Sequence, residues 1–129
     1  MMSLKYDYEV DKVNKILIFE AQGTVSDIRE VERLIKTVVK TAGKNQMSNV
    51  VIDIQELDIK CSSLEISNLL VDIKSADLLA NIKLARIINH SHNIQHLVGE
   101  LAKKLNLPIK NFETRSEAIL WLLFNKIPK

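Results

Sequence analysis

The chain has 129 residues, 47% hydrophobic and 26% charged, a balance expected of one globular, soluble domain and not of a disordered chain. Eighteen basic against 16 acidic residues leave a net charge of only +2, so without a clustered basic face no nucleic-acid partner is expected. Cys61 is the one cysteine, which rules out an intramolecular disulfide and favours a reducing compartment. Met1 to Glu9 lacks the apolar core of a signal peptide. The longest apolar run, Ala118 to Phe124, has seven residues against the ~20 of a membrane span, so a cytoplasmic protein is expected.

Tyr6, Tyr8 and Val10 alternate with Lys5, Asp7 and Glu9, the period of a half-exposed strand. A polar turn over Asp11 to Lys15 leads into Ile16-Leu17-Ile18-Phe19, which predicts an antiparallel hairpin ending near Gly23. Asp27, with Glu30 three residues on, predicts a helix start of the capping-box type. Ile28, Val31, Leu34, Ile35, Val38, Val39 and Ala42 trace one face of that helix, and Gly43 is placed to close it. Val50-Val51-Ile52-Asp53-Ile54 reads as a short strand buried on both faces. A loop over Leu57 to Ser63 is expected next, before a helix whose Leu64, Ile66, Leu69, Leu70 and Ile73 recur at helical spacing. Ile82 to Ile88, apolar apart from Lys83 and Arg86, predicts another strand.

A third helix is expected from about Asn93 to Asn106, with Ile94, Leu97, Val98, Leu101 and Leu105 inward and Pro108 forbidding its continuation. Ile109 to Glu113 is a short last strand. Thr114 and Glu117 then form a capping box that opens a final helix through Trp121 to about Asn125. The order is β-β-α-β-α-β-α-β-α, with no repeat, linker or low-complexity segment. It predicts a single α/β domain with a mixed sheet, whose later strands are parallel and joined by right-handed crossovers.

Gly23-Thr24-Val25-Ser26-Asp27 after an apolar strand resembles the Gly-acidic turn that opens the first helix of STAS domains, the sulfate transporter and anti-sigma-factor antagonist fold. Asp53-Ile54 followed by Cys61-Ser62-Ser63-Leu64 resembles that family's strand-end Asp and its Asp-Ser-Ser-Gly helix start. Asn111-Phe112-Glu113, then Glu117-Ala118 and Trp121-Leu122, is similar to the SpoIIAA-like branch. The resemblance implies a STAS/SpoIIAA-like fold over nearly the whole chain and two alternative functions. One is a regulatory module that binds a regulatory kinase or anti-sigma factor, with phosphorylation at the second Ser of the motif, here Ser63, releasing the partner. The other is a carrier of a small apolar ligand or lipid, with peripheral membrane association. Cys61 stands where the motif has Asp. Leu64 stands where it has Gly, adding apolar bulk where glycine lets a partner backbone approach.

Ser62 and Glu65 also fit a plain capping box, in which the hydroxyl satisfies a backbone N–H. The resemblance makes Ser63, and after it Ser62, the candidate phosphorylation sites, and Asp58, Cys61, Ser62, Ser63 and Leu64 the candidate partner contacts. Cys61 lies next to a helix N-terminus, which can depress a thiol pKa, although a buried filler is the simpler role. His92, His96 and Glu100 fall at i, i+4 and i+8 if a helix begins near His92, a weak metal-ligand pattern that a solvated polar face also explains. The final helix is apolar on every face, so some of Leu120, Trp121, Leu123 and Phe124 should be exposed, or covered by a second copy, a ligand or a membrane. Lys126 and Lys129 beside that patch would suit an anionic membrane surface. In the carrier reading Leu64, Leu69, Trp121 and Phe124 line one groove between helices and sheet. No phosphate-cradling glycine loop, catalytic triad or paired catalytic carboxylates stand out, so neither an enzyme nor a cofactor is expected.

Overall fold

Val50, Val51 and Ile52 are all buried, although neighbouring residues of a strand point to opposite faces, so apolar layers must lie on both sides of this segment. The computed structural model describes residues 4–124. It contains β1 (Lys5–Asp11), β2 (Ile16–Val25), α1 (Ile28–Lys44), β3 (Asn49–Ile59), α2 (Ser63–Ser75), β4 (Lys83–Ile87), α3 (Asn93–Lys104), β5 (Ile109–Phe112) and α4 (Arg115–Phe124). The element order is the one predicted. The sheet runs β1-β2-β3-β4-β5, with β1 antiparallel to β2 and every other pair parallel. On one face α1, α2 and α3 place Leu34, Val38, Ile66, Leu70 and Val98 against Leu17, Phe19, Val50, Ile52 and Leu84. On the other, α4 sets Ala118 and Leu122 against Ile16, Ile18, Val51, Ala85 and Ile87.

The expected loop from Leu57 to Ser63 is shorter than predicted, with only Lys60, Cys61 and Ser62 between β3 and α2. β3 continues to Ile59, and Asp53 sits inside it instead of at its end. The reason is a bulge. Glu20 pairs with Asp53 but Gln22 pairs with Glu56, so β3 carries one extra residue at this point. The extra residue shifts the alternation: Val50, Ile52 and Ile54 face the three-helix core before it, and Leu57 and Ile59 after it. The Asp53 carboxylate accepts the backbone N–H of Gln55 at 3.2 Å and its side-chain amide at 3.1 Å, so the side chain spans the irregularity. Gly23, opposite Leu57, has φ 117, a conformation that strains any side chain.

Gly43 does not close α1; it lies inside the helix, which ends at Lys44. Three helices end in one manner without glycine. Gln46, Asp77 and Asn106 take left-handed φ values of 56, 53 and 57. The next residue then donates back: Met47 to Ala42 O at 2.8 Å, Leu78 to Ile73 O at 3.2 Å and Leu107 to Ala102 O at 2.9 Å. These are Schellman closures, and the apolar Met47, Leu78 and Leu107 that follow pack into the core and offset the strain of a non-glycine left-handed residue. At the start of α1, Asp27 caps through the N–H of Arg29. The Thr114–Glu117 pair forms as predicted, with Glu117 N–H donating to Thr114 Oγ1 at 3.2 Å.

The final helix divides as its composition requires. Ala118 and Leu122 are buried, Trp121 rests on Phe112 with ring centroids 5.6 Å apart, and Leu120 and Phe124 are 57% and 72% exposed. Its expected end at Asn125, and Lys126 and Lys129, lie outside the described residues. Replacing Leu122 by Ala should cost about 2–4 kcal/mol of unfolding free energy in urea titrations, because it opens a cavity over Val51 and Ala85. Leu120→Ala on the outer side should stay within about 0.5 kcal/mol.

Candidate functional site at the start of α2

The C-terminal ends of β2 and β3 lie side by side, Thr24 opposite Asp58 and Val25 opposite Ile59, and Lys60 N–H donates to Val25 O at 2.7 Å. Each strand then feeds a helix, capped by Asp27 on α1 and by Ser62 on α2. At Ser62 the capping box is complete: Ser62 N–H donates to Glu65 Oε1 at 3.0 Å, and Glu65 N–H donates to Ser62 Oγ at 3.1 Å. Such a cap is worth about 1 kcal/mol and occupies the Ser62 hydroxyl. Ser63, the first residue of α2, is exposed, and its hydroxyl makes no hydrogen bond among the described residues. Leu64 is 69% exposed beside it. Asp58 pairs with Lys60 at 3.3 Å on the strand end.

Cys61 differs from its neighbours. Its side chain is buried in the three-helix core, so it supports the site from beneath and offers a partner no surface. The expected depression of its pKa is also reversed. Burial, then the charges of Glu65, Asp27 and Glu30, push the thiol above its ordinary value and outweigh the helix N-terminus.

The four residues expected to line one groove are split between the two faces of the sheet. Leu69 is buried in the three-helix core and Leu64 lies outside it, whereas Trp121 and Phe124 belong to α4 on the opposite face with Leu123. An apolar cavity does lie under α1, α2 and α3, lined by Leu34, Ile54, Leu69 and Val98 among others, with a volume of about 70 Å³. Drug-sized ligands occupy pockets of roughly 300 Å³ or more.

The expected His92, His96 and Glu100 set does not form either, although the His90 and His96 rings pack together with centroids 5.5 Å apart. His92 is the N-cap of α3, outside the helix, so the i, i+4, i+8 geometry with His96 and Glu100 fails. His96 Nε2 donates to the carbonyl of His90 at 3.1 Å, and His90 Nδ1 meets Glu113 at 3.1 Å. Among the described residues no group of three His, Cys, Asp or Glu side chains is placed to hold a metal ion.

Sequence reasoning missed a buried polar knot behind this surface. Arg86 on β4 is buried, and its guanidinium donates to the carbonyl of Gln95 at 3.2 Å, to Gln95 Oε1 and to Asn111 Oδ1 at 2.7 Å. Asn111 Nδ2 donates back to Gln95 O at 3.0 Å, and Gln95 Nε2 donates to Leu57 O at 3.3 Å. Burial pushes the guanidinium down to about 9, which leaves it charged at neutral pH. Gly99 lies against the Asn111 amide where a Cβ would collide with it. The signal in the sequence was Arg86 interrupting an apolar strand. Gln95, on the apolar face of a helix, gave a second one.

No protein-family model matches the chain, and no match was found among curated proteins. Solved structures do match over nearly its whole length. An anti-sigma factor antagonist from Mycobacterium paratuberculosis aligns with a TM-score of 0.60 at 15% identity, over 93% of this chain and 94% of that one. An uncharacterised protein from Shewanella loihica with a SpoIIAA-like fold aligns at 0.54 and 20% identity, over 95% of each chain. The phosphorylated form of the Bacillus cell fate determinant SpoIIAA aligns at 0.50 and 15% identity, over 89% of this chain and 96% of that one. The chain therefore has a SpoIIAA-like fold, a mixed α/β sheet with four helices.

Hydrogen bonds from the Arg29 guanidinium, then from the Arg29 N–H, hold the Asp27 carboxyl at about 2, below its ordinary 3.8. A carboxylate with a lowered folded pKa contributes stability above the unfolded value and loses it as pH falls through the folded one. The stability difference between the parent chain and Asp27→Asn should thus be constant above about pH 5 and shrink between about pH 4 and pH 2, as read from urea titrations across pH.

Proposed function

We propose that the chain is a non-catalytic regulatory module that binds a protein partner through the start of α2. The observation that carries this reading is the exposed pair Ser63 and Leu64 on a helix start held rigid by the Ser62–Glu65 box. An apolar side chain fixed at a helix N-terminus, beside an unbonded hydroxyl, is a ready anchor whose surroundings a charge can alter. The SpoIIAA-like fold supports a partner of the regulatory-kinase or anti-sigma-factor type, as borne by the anti-sigma factor antagonist of the same fold. A phosphate on Ser63 would gain from the α2 N-terminus. It would add about −1.5 to −2 of charge near Glu65, enough to repel an acidic partner surface that docks on Leu64.

The carrier alternative draws less support, because a cavity of about 70 Å³ requires the helix layer to open before it admits a lipid chain. No helix among the described residues is long and apolar enough to cross a membrane. Leu120 and Phe124 on α4 remain an apolar surface for a peripheral membrane contact or a second copy.

The test is titration calorimetry against the ATP-binding anti-sigma kinases encoded in the same genome. Leu64→Asp should weaken the cognate complex by about 30-fold, roughly 2 kcal/mol, without lowering the melting temperature. Ser63→Ala should bind as the parent chain does, and Ser63→Asp about tenfold more weakly. Equal binding by all variants, or no kinase bound, rejects the reading. A lipid found by native mass spectrometry of the purified chain would move it to the carrier.

A further inference from the structure

We propose that the free edge of β1 is a docking site for an extended peptide segment of a partner in which basic residues alternate with apolar ones. β1 ends the sheet on one side, and its inner edge is paired with β2 from Lys5 to Asp11. In an antiparallel ladder every second residue directs its N–H and C=O away from the neighbour, so this seven-residue strand presents outward a backbone row with no partner strand among the described residues. The opposite edge, β5, has four residues, and its Asn111 is turned into α3.

The two faces of β1 differ in chemistry. On the face that carries α1, Tyr6 and Tyr8 lie beside Phe19 with ring centroids 6.0 and 5.3 Å away, and both remain about half exposed at 48% and 49%. On the other face α4 packs on β3, β4 and β5, while Asp7 and Glu9 extend the row of Glu20, Asp53 and Glu56. Arg115 from α4 meets Glu20 at 3.3 Å and Asp53 at 3.7 Å, which leaves Asp7, Glu9 and Glu56 facing Lys5. An open hollow of about 410 Å³ lies over this acidic strip, between Lys5, Asp7, Glu20 and Glu56.

A strand added to this edge meets both faces at once. Its alternate residues would pack on Tyr6 and Tyr8, and the residues between them would reach Asp7 and Glu9. Apolar or aromatic side chains suit the first set, and Lys or Arg the second. A second copy of β1 does not. Twofold antiparallel pairing centred on Tyr8 sets Asp7 opposite Glu9, and pairing centred on Asp7 or on Glu9 sets that acid against itself. Pairing centred on Val10 sets Glu9 opposite Asp11, and the register centred on Tyr6, which sets Lys5 opposite Asp7, overlaps β1 only from Lys5 to Asp7. The acids that discourage self-pairing therefore select a basic partner, and this surface is separate from the start of α2.

The test uses the full chain and two blocked, fluorescent peptides of about nine residues, one alternating Lys with Val and Tyr, the other with Glu in place of every Lys. The Lys peptide should bind at least about tenfold tighter than the Glu peptide in anisotropy titrations, with an affinity that falls as salt is raised. Asp7→Lys combined with Glu9→Lys should remove that preference. Amide hydrogen exchange on the parent chain, which does not depend on the variant folding, should slow at alternate β1 residues when the Lys peptide is bound. Equal affinity for the two peptides, no binding of either, or binding without slowed exchange in β1 overturns the proposal. Concentration-dependent dimerisation that protects β1 without peptide assigns the edge to a second copy instead and overturns it equally.

Discussion

Burial of β3 on both faces is the constraint from which the rest of the architecture follows. Val50 and Ile52 need an apolar layer on one side and Val51 needs one on the other. A side chain of this size gains about 1.5–3 kcal/mol when fully removed from water, so neither face can be left open at this point of the sheet. The crossovers β2-α1-β3, β3-α2-β4 and β4-α3-β5 fill the first face. Among the described residues the second face has only α4, ten residues long, and that helix covers Val51, Ala85 and Ile87. What α4 leaves over must be polar, and the acidic residues of β1 and β2 on that side are the consequence.

The Arg86 knot adds specificity to this frame more than stability. A buried guanidinium ringed by amide oxygens instead of a carboxylate gains little over an apolar side chain of equal volume, but it is costly to disturb once in place. Its partners come from α3 and β5, and Gln95 extends the network to the Leu57 carbonyl on β3. A shift of α3 by one residue, or of β5 by one register step, would leave a charge or an amide buried without a partner. The short β5 strand, with four residues, has few ladder bonds to hold its register, and the knot supplies what the ladder lacks.

Most of the element order was legible because it rests on local periodicity. The faces of α1 and α2, the alternation of β1 and the capping boxes at Ser62 and Thr114 each need only a few neighbouring residues to be recognised. What was not legible depends on the opposite partner. Asp53 looked like a strand end because a bulge reverses the alternation after it, and only the pairing with Glu20 and Gln22 reveals the extra residue. Gly43 looked like a helix stop because glycine is the common one. The actual stop at Gln46 is enforced by Met47 docking in the core, a tertiary effect. The candidate groove failed for a similar reason: spacing places Trp121 and Leu69 on helices, but does not say on which side of the sheet each helix lies.

The start of α2 joins these points to function. Its capping box consumes Ser62 and Glu65, Cys61 is drawn into the core beneath it, and the strand pairing of Val25 with Ile59 fixes where the helix begins. What remains outward is Ser63 and Leu64, held by elements that cannot move independently. A surface of this kind carries little ordering cost on binding, since the helix start is already in place. In the proposed reading the same geometry makes a local change of charge effective, because a phosphate on Ser63 would lie next to the capping box that holds the Glu65 carboxylate. If the proposed partner docks on Leu64, repulsion there would be relieved by its release.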